Sequence, residues 1–350
     1  MTKPSADQRG FLDEPPEFHE KLLDYGERPY WSPDGRRIAF IDKNFGDVCE
    51  LDLASRQVRN LTKDNGAHHS FLRVLFLPNG DYLLIGPRHF EDRERSRFGS
   101  SELWFMDRDA AEPPRPLGPT IFEGCGVSTR TPTVTYSVYG RIDPSTGAPE
   151  DFEIRVADLD YSGDQPELVD RKVVYTTRNG RCPEPQDFRH NDTEVIFAEY
   201  VNRFPRRNTL DWKTVVKGVE VDTGVVRTYI DEHLTHNEPE GIFPDGEHIC
   251  LESSCDFENY WPPIDLWKLK LDGSGRRVRM TRAIDHPPWR CSNSNVSPDG
   301  RWLAFMVNTR GDMSGFGRGL GLLDLEKWGR SEAAEQWEAP AAYRSIPISS

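Results

Sequence analysis

The segment His236-Asn237-Glu238-Pro239-Glu240 sets an imidazole and two carboxylates at alternate positions. On an extended strand such residues share one face. An imidazole beside carboxylate oxygens can hold a divalent cation or act as an acid–base pair, and the mixture suits manganese, iron, nickel or zinc better than calcium. His69 ahead of FLRVLFLPNG is a further candidate ligand from another part of the chain. Imidazole ligands bind as the neutral form, so such a site weakens as pH falls through the ordinary histidine range near ~6.5. Without metal, His236, Glu238, Glu240 and Arg290 are the first residues to test for catalysis. Glu184 and Gln186 in CPEPQDFRH, and His286 in DHPPWR, extend the polar set. A second group, Arg88, His89, Arg203, Asp256 and Arg310, follows apolar strand-like runs. Arginine forks match carboxylate and phosphate geometry, so this group predicts an anionic ligand.

These residues stand at recurring places. A tight turn is repeated around Pro33, Pro78, Pro244 and Pro298, as in SPDG, LPNG, FPDG and SPDG. DFRHNDTEVIFAEY aligns with YWSPDGRRIAFID and puts His190 at the turn position of a degenerate copy. The interval from Pro78 to His190 is about twice its neighbours and leaves room for one more unit, TPTVTYSVYG with FEIRVADLDY and PELVDRK. The first unit resolves into four short strands: PYW, RRIAFID, DVCELDL and RQVRNLT. Four sequential antiparallel strands make a propeller blade, and a regular period of this kind marks a repeat architecture. The prediction is an all-β chain, a single closed β-propeller over residues 1–350 with six blades, or seven if the two termini build more than one sheet. PEFHEKLLD at 16–24 is expected to complete the last blade with GLGLLDL and YRSIPI, since a closed ring removes exposed edges.

In a propeller the first strand of each blade lines the central channel. Counting back from the turn proline, the copies carry Tyr25, Ser70, His236 and Arg290 at minus eight, Glu27, Leu72, Glu238 and Ser292 at minus six, and Pro29, Val74, Glu240 and Ser294 at minus four. Glu184 and Gln186 are the degenerate copy's equivalents. The turn itself is scaffold at the opposite end, so His190 there is a poor candidate for chemistry. Trp31, Trp104, Trp267 and Trp302 lie in strand patterns and read as blade packing.

The formal net charge of -14, with charged residues at 29%, argues against nucleic acid or an anionic membrane as partner. There is no apolar run long enough to span a bilayer and no apolar signal core in MTKPSADQRGFLDEPPEF, which makes the cytoplasm the expected location. The six cysteines form no CxxC pair and read as free thiols.

SPDGRRIAF, FLPNGDYLL, FPDGEHICL and SPDGRWLAF resemble the WD40-like repeat of TolB-type propellers. Histidines placed just before the repeat turn resemble, more narrowly, the oligogalacturonate lyases. That resemblance implies an intracellular propeller that cleaves short pectic oligomers by β-elimination, with manganese held by three histidines and a glutamine. His236 matches a family metal histidine; His69 and His286 stand at different offsets, and Gln186 takes the glutamine role. The final repeat, CSNSNVSPDG, has no histidine in its strand. The expected function is thus a lyase acting on a short acidic, uronate-containing oligosaccharide. A glycoside hydrolase using paired carboxylates and a non-catalytic ligand- or protein-binding propeller are the alternatives.

Overall fold

The computed structural model describes residues 10–122, 124–141, 151–177, 181–201, 213–254, 264–312 and 315–334. Six four-stranded antiparallel sheets form a β-propeller. The inner strands of blades 1 to 6 are Glu27–Trp31, Arg73–Phe76, Gly126–Val127, Cys182–Arg189, Asn237–Ile242 and Trp289–Val296. The unit between Pro78 and His190 is blade 3, with Thr133–Tyr139, Phe152–Asp160 and Glu167–Thr176 as its remaining strands. In blade 6 the outermost strand is His19–Leu23 from near the start of the chain, paired with Leu320–Asp324. The tail YRSIPI lies outside the described residues.

The repeated turn is built by its own side chains. Ser32 Oγ donates to Asp34 Oδ1 at 2.6 Å, and the Arg36 N–H donates to the same oxygen at 3.1 Å. The Gly35 N–H closes the turn on the Ser32 carbonyl with φ of 68°, a left-handed conformation that glycine adopts without a Cβ penalty. Ser297, Asp299 and Gly300 repeat the arrangement. These local bonds fix where each inner strand ends, and hence its register.

The core lies between successive blades. Leu303, Phe305 and Leu323 of blade 6 pack with Cys250 and Leu266 of blade 5. Val156 of blade 3 packs with Val195 and Phe197 of blade 4. Each fully buried aliphatic or aromatic side chain contributes about 1.5–3 kcal/mol. Trp31 joins the first and last blades: its N–H donates to Asn295 Oδ1 at 2.9 Å and its Nε1 to the Asn295 carbonyl at 3.0 Å. Cys49, Cys125, Cys182, Cys250 and Cys291 are buried free thiols.

Candidate active site in the central channel

His236 leads into the inner strand of blade 5. Its N–H donates to Ser254 Oγ at 3.0 Å, and its carbonyl accepts from the Ser254 N–H at 3.1 Å. Asn237 turns the other way and accepts from Ser253 Oγ at 2.7 Å. His236 and Glu238 therefore share the opposite face. Glu238 is the direct cross-strand partner of Glu252 on the second strand, His248–Ser253. His236 Nε2 lies 3.2 Å from Glu238 Oε2 and 3.9 Å from Glu252 Oε2. The nitrogen is buried, and the Glu238 contact is close without the alignment of a hydrogen bond. Among the described residues this is the one group of three acidic, imidazole or thiol side chains whose ligand atoms all lie within 4.8 Å of one another.

Neighbouring blades supply the surroundings. Gln186 of blade 4 donates from Nε2 to Glu238 Oε1 at 3.4 Å. The Asn293 N–H of blade 6 donates to Glu252 Oε1, and its Nδ2 to Glu240 Oε1 at 3.3 Å. Arg73 reaches across from blade 2, 3.3 Å from Gln186 Oε1 and 3.6 Å from Glu240 Oε2. Glu184 accepts from the Tyr200 hydroxyl at 3.0 Å. One wall of the channel is thus acidic, and Arg73 faces it.

The charges shift one another. Burial opposes the His236 imidazolium, but Glu238 and Glu252 outweigh it and hold its pKa at about 9. Glu240 is pushed well above the usual carboxyl range, first by burial and then by Glu252, with Arg73 acting against the shift. Burial beside other carboxylates favours its protonated form, the form a general acid needs. Burial also opposes the Arg73 charge, while Glu240 and Glu184 more than restore it.

The structure brings His236, Glu238, Glu240, Gln186 and Glu184 into one region, and buried Arg290 lies near enough for the Glu252 charge to act on it. His69 is exposed and pairs through Nδ1 with Asp47 Oδ1 at 2.7 Å. His286 is exposed at the blade 5–6 connection, its ring 6.0 Å from that of Phe11. Neither belongs to the His236 cluster. Arg290 is buried, and its Nε donates to Asn308 Oδ1 at 2.6 Å. Arg88 is exposed and forks onto Glu102. His89 and Arg310 are exposed. Arg203 and Asp256 lie outside the described residues. Sequence reasoning missed Glu252, Arg73, Asn293 and Tyr200. Arg73 and Asn293 do carry a signal: both stand five residues before the turn proline, as does Arg28, which lines the channel beside them.

No family model and no curated protein matches the chain by sequence. Solved structures match it by fold. A gluconolactonase from Xanthomonas campestris aligns at a TM-score of 0.52 and 13% identity, over 87% of this chain and 88% of that one. An oligogalacturonate lyase in complex with manganese aligns at 0.51 and 14%, over 85% and 77%. Hydrazine synthase from Kuenenia stuttgartiensis aligns at 0.51 and 12%, over 82% and 77%. Proteins of such different activities share the propeller, so the likeness establishes the fold and leaves the chemistry to the site.

Proposed function

We propose that this chain is an enzyme acting on a short acidic carbohydrate, with a divalent cation held by His236, Glu238 and Glu252. The observation that carries the reading is the buried His236 Nε2, close to two facing carboxylates and aligned with neither. One nitrogen and several carboxylate oxygens fit manganese, iron, nickel or zinc. Manganese is favoured because a propeller of the same architecture is an oligogalacturonate lyase in complex with that metal. The three-histidine and glutamine set implied by the sequence resemblance is replaced by one histidine and two glutamates, with Gln186 bonded to Glu238.

A bound cation supplies Lewis-acid polarisation of a substrate oxygen. The chain's own residues supply the rest. Arg73 offers a guanidinium to a sugar carboxylate from across the channel. Protonated Glu240 gives its proton to a departing oxygen. Gln186 and Asn293 hold the Glu238 and Glu252 carboxylates in place. β-Elimination is the favoured reaction: a carboxylate of the acidic wall takes the proton beside the uronate carboxylate, the carbon–carbon double bond forms, and the bond to the departing oxygen breaks. The adjacency of Glu240 to Glu252 favours a second reading, glycoside hydrolysis with Glu240 as general acid.

The test is a panel of uronate-containing oligosaccharides incubated with metal-loaded protein. Absorbance from a conjugated unsaturated uronate identifies elimination, whereas saturated products identify hydrolysis. Folded, metal-loaded protein that turns over none of the panel defeats both readings and favours a binding propeller.

A further inference from the structure

A cavity of about 610 Å3 opens at the other end of the channel, where the repeated turns lie. Pro33, Pro78, Pro244 and Pro298 line it, with the rings of Trp31 and Phe76. Tyr30, Asp187 and Asn295 border both this cavity and the narrow space of about 20 Å3 beside Glu240 and Arg73, and so form the waist of the channel. The carboxylate at this waist is anchored by amides alone. Asp187 Oδ1 accepts from the Phe188 N–H at 2.8 Å, and Oδ2 accepts from the Ile242 N–H at 2.9 Å.

Those bonds orient the group without an ion pair, and burial pushes its pKa up to about 7, with Asp192 adding to the shift and Arg73 acting against it. The nearby arginines are engaged elsewhere. Arg73 faces Glu240 at 3.6 Å, and Arg189 is 3.4 Å from Glu194 and donates to the Gly246 carbonyl at 2.7 Å. Arg130, on the cavity wall, donates to Asn191. Among the described residues no Lys, Arg or His forms an ion pair with Asp187.

We infer that the turn-face cavity is a binding site for a small organic monocation of the alkylammonium class. A carboxyl withdrawn from bulk water and without an ion-pair partner ionises more readily when a cation sits beside it, so its ionisation and cation binding favour one another. The proline rings that line the cavity cover alkyl groups. The volume falls in the range of small-molecule pockets, about 300–1,000 Å3, and exceeds what a bare ammonium ion fills. The net charge of -14 concentrates cations near the surface. This site is separate from the His236 cluster and does not depend on the reaction proposed there.

The experiment measures binding of butylammonium, with n-butanol as the uncharged control, by calorimetry and tryptophan fluorescence. Butylammonium is expected to bind at least ten-fold more tightly than butanol. Asp187→Asn should erase that preference. Thr129→Trp, at an exposed position on the cavity wall, should weaken butylammonium ten-fold or more with an unchanged circular dichroism spectrum. The double variant Glu238→Gln, Glu252→Gln should keep the preference, which separates this site from the acidic cluster. Equal binding of the two probes, a preference that survives Asp187→Asn, full affinity in folded Thr129→Trp, or no binding to the wild type would each overturn the inference. If Asp187→Asn does not fold, Thr129→Trp decides.

Discussion

Glu238 and Glu252 are direct cross-strand partners in blade 5, two carboxylates facing one another on the same side of the sheet. Like charges in that position destabilise a sheet by a fraction of a kcal/mol to about 1 kcal/mol. Both also border His236, at 3.2 and 3.9 Å. In the free protein a proton on the imidazole offsets the pair, and a divalent cation would do so more completely. A pairing that costs stability and concentrates negative charge around one nitrogen is what the proposed cation would offset.

Wild-type protein purified without a metal-affinity column and incubated with manganese is therefore expected to retain one divalent ion per chain after dialysis. Elemental analysis measures this directly. His236→Ala and Glu252→Gln should each remove stoichiometric metal. Gln186→Ala, which removes the side-chain bond that holds Glu238, should weaken the metal by about 10–100-fold, the usual range for outer-shell partners. Glu252→Gln should also match or exceed the metal-free wild type in thermal midpoint, because it relieves the facing charges. A wild type without retained metal, and unaffected by added manganese, nickel or zinc, rules the cation out.

Metal entry should release a proton over a wider pH range than an ordinary histidine allows. Burial opposes the imidazolium, yet Glu238 and Glu252 raise its pKa from 6.5 to about 9. Below that value the cation displaces a proton from His236, so affinity should climb as pH rises from 7 and flatten near 9. The window expected from an isolated histidine, near ~6.5, is moved upward by the two carboxylates. Calorimetry at pH 7 in buffers of different ionisation enthalpy should count about one proton released per metal bound. No release at pH 7 would show that His236 is already neutral there.

The propeller was readable because its signal is local and repeated. Ser32, Asp34 and Gly35 build a turn from their own bonds, and Ser297, Asp299 and Gly300 build it again. His236, Glu238 and Glu240 were readable because inner strands line the channel. Glu252 was hidden: it follows the apolar run ICL in a buried strand, and only its register against Glu238 brings it to the site. Asn293 was missed for a different reason. Strict alternation from the turn proline skips its position, but the inner strand of blade 6 shifts register between Ser292 and Asn295. Such a bulge sets two residues against one and breaks the period of two. Similar shifts in blades 1, 4 and 5 make a fixed count back from the turn unreliable near the axis. His69 and His286 share the entry side by sequence offset, but Asp47 and Phe11 hold them locally.

The bulge in blade 5 also makes its strand sensitive to one added methyl. A Cβ on Gly241 would lie 3.0 Å from the Val296 backbone nitrogen and 3.2 Å from Asn295 Cα, both on the inner strand of blade 6. Backbone cannot swing aside as a side chain can. Gly241→Ala should therefore cost about 1–3 kcal/mol, the range for overpacking, and push the two blades apart next to Glu240. The expected result is a lower denaturant midpoint with a weakened metal site, read by chemical denaturation and metal titration. An unchanged midpoint would mean that the blades have slack at this contact.

The last prediction concerns Glu27, on the inner strand of blade 1 and 1% exposed. Burial raises its pKa from 4.5 to about 7, although the Gly317 N–H at 3.0 Å and Asn44 Nδ2 at 3.2 Å favour the ionised form. The folded state thus holds a proton that the unfolded chain releases above its own pKa of 4.5. Between 4.5 and about 7 the unfolded state binds fewer protons, so stability falls as pH rises through this window and levels off above it. A shift of this size corresponds to a loss on the order of 3 kcal/mol from this residue. Glu27→Gln keeps a hydrogen-bonding group and cannot ionise. Its stability should exceed that of the wild type at pH 7.5, and the difference should shrink toward pH 4.5. Denaturant midpoints at half-unit pH steps give the comparison, and parallel curves for the two proteins would show that Glu27 does not carry this dependence.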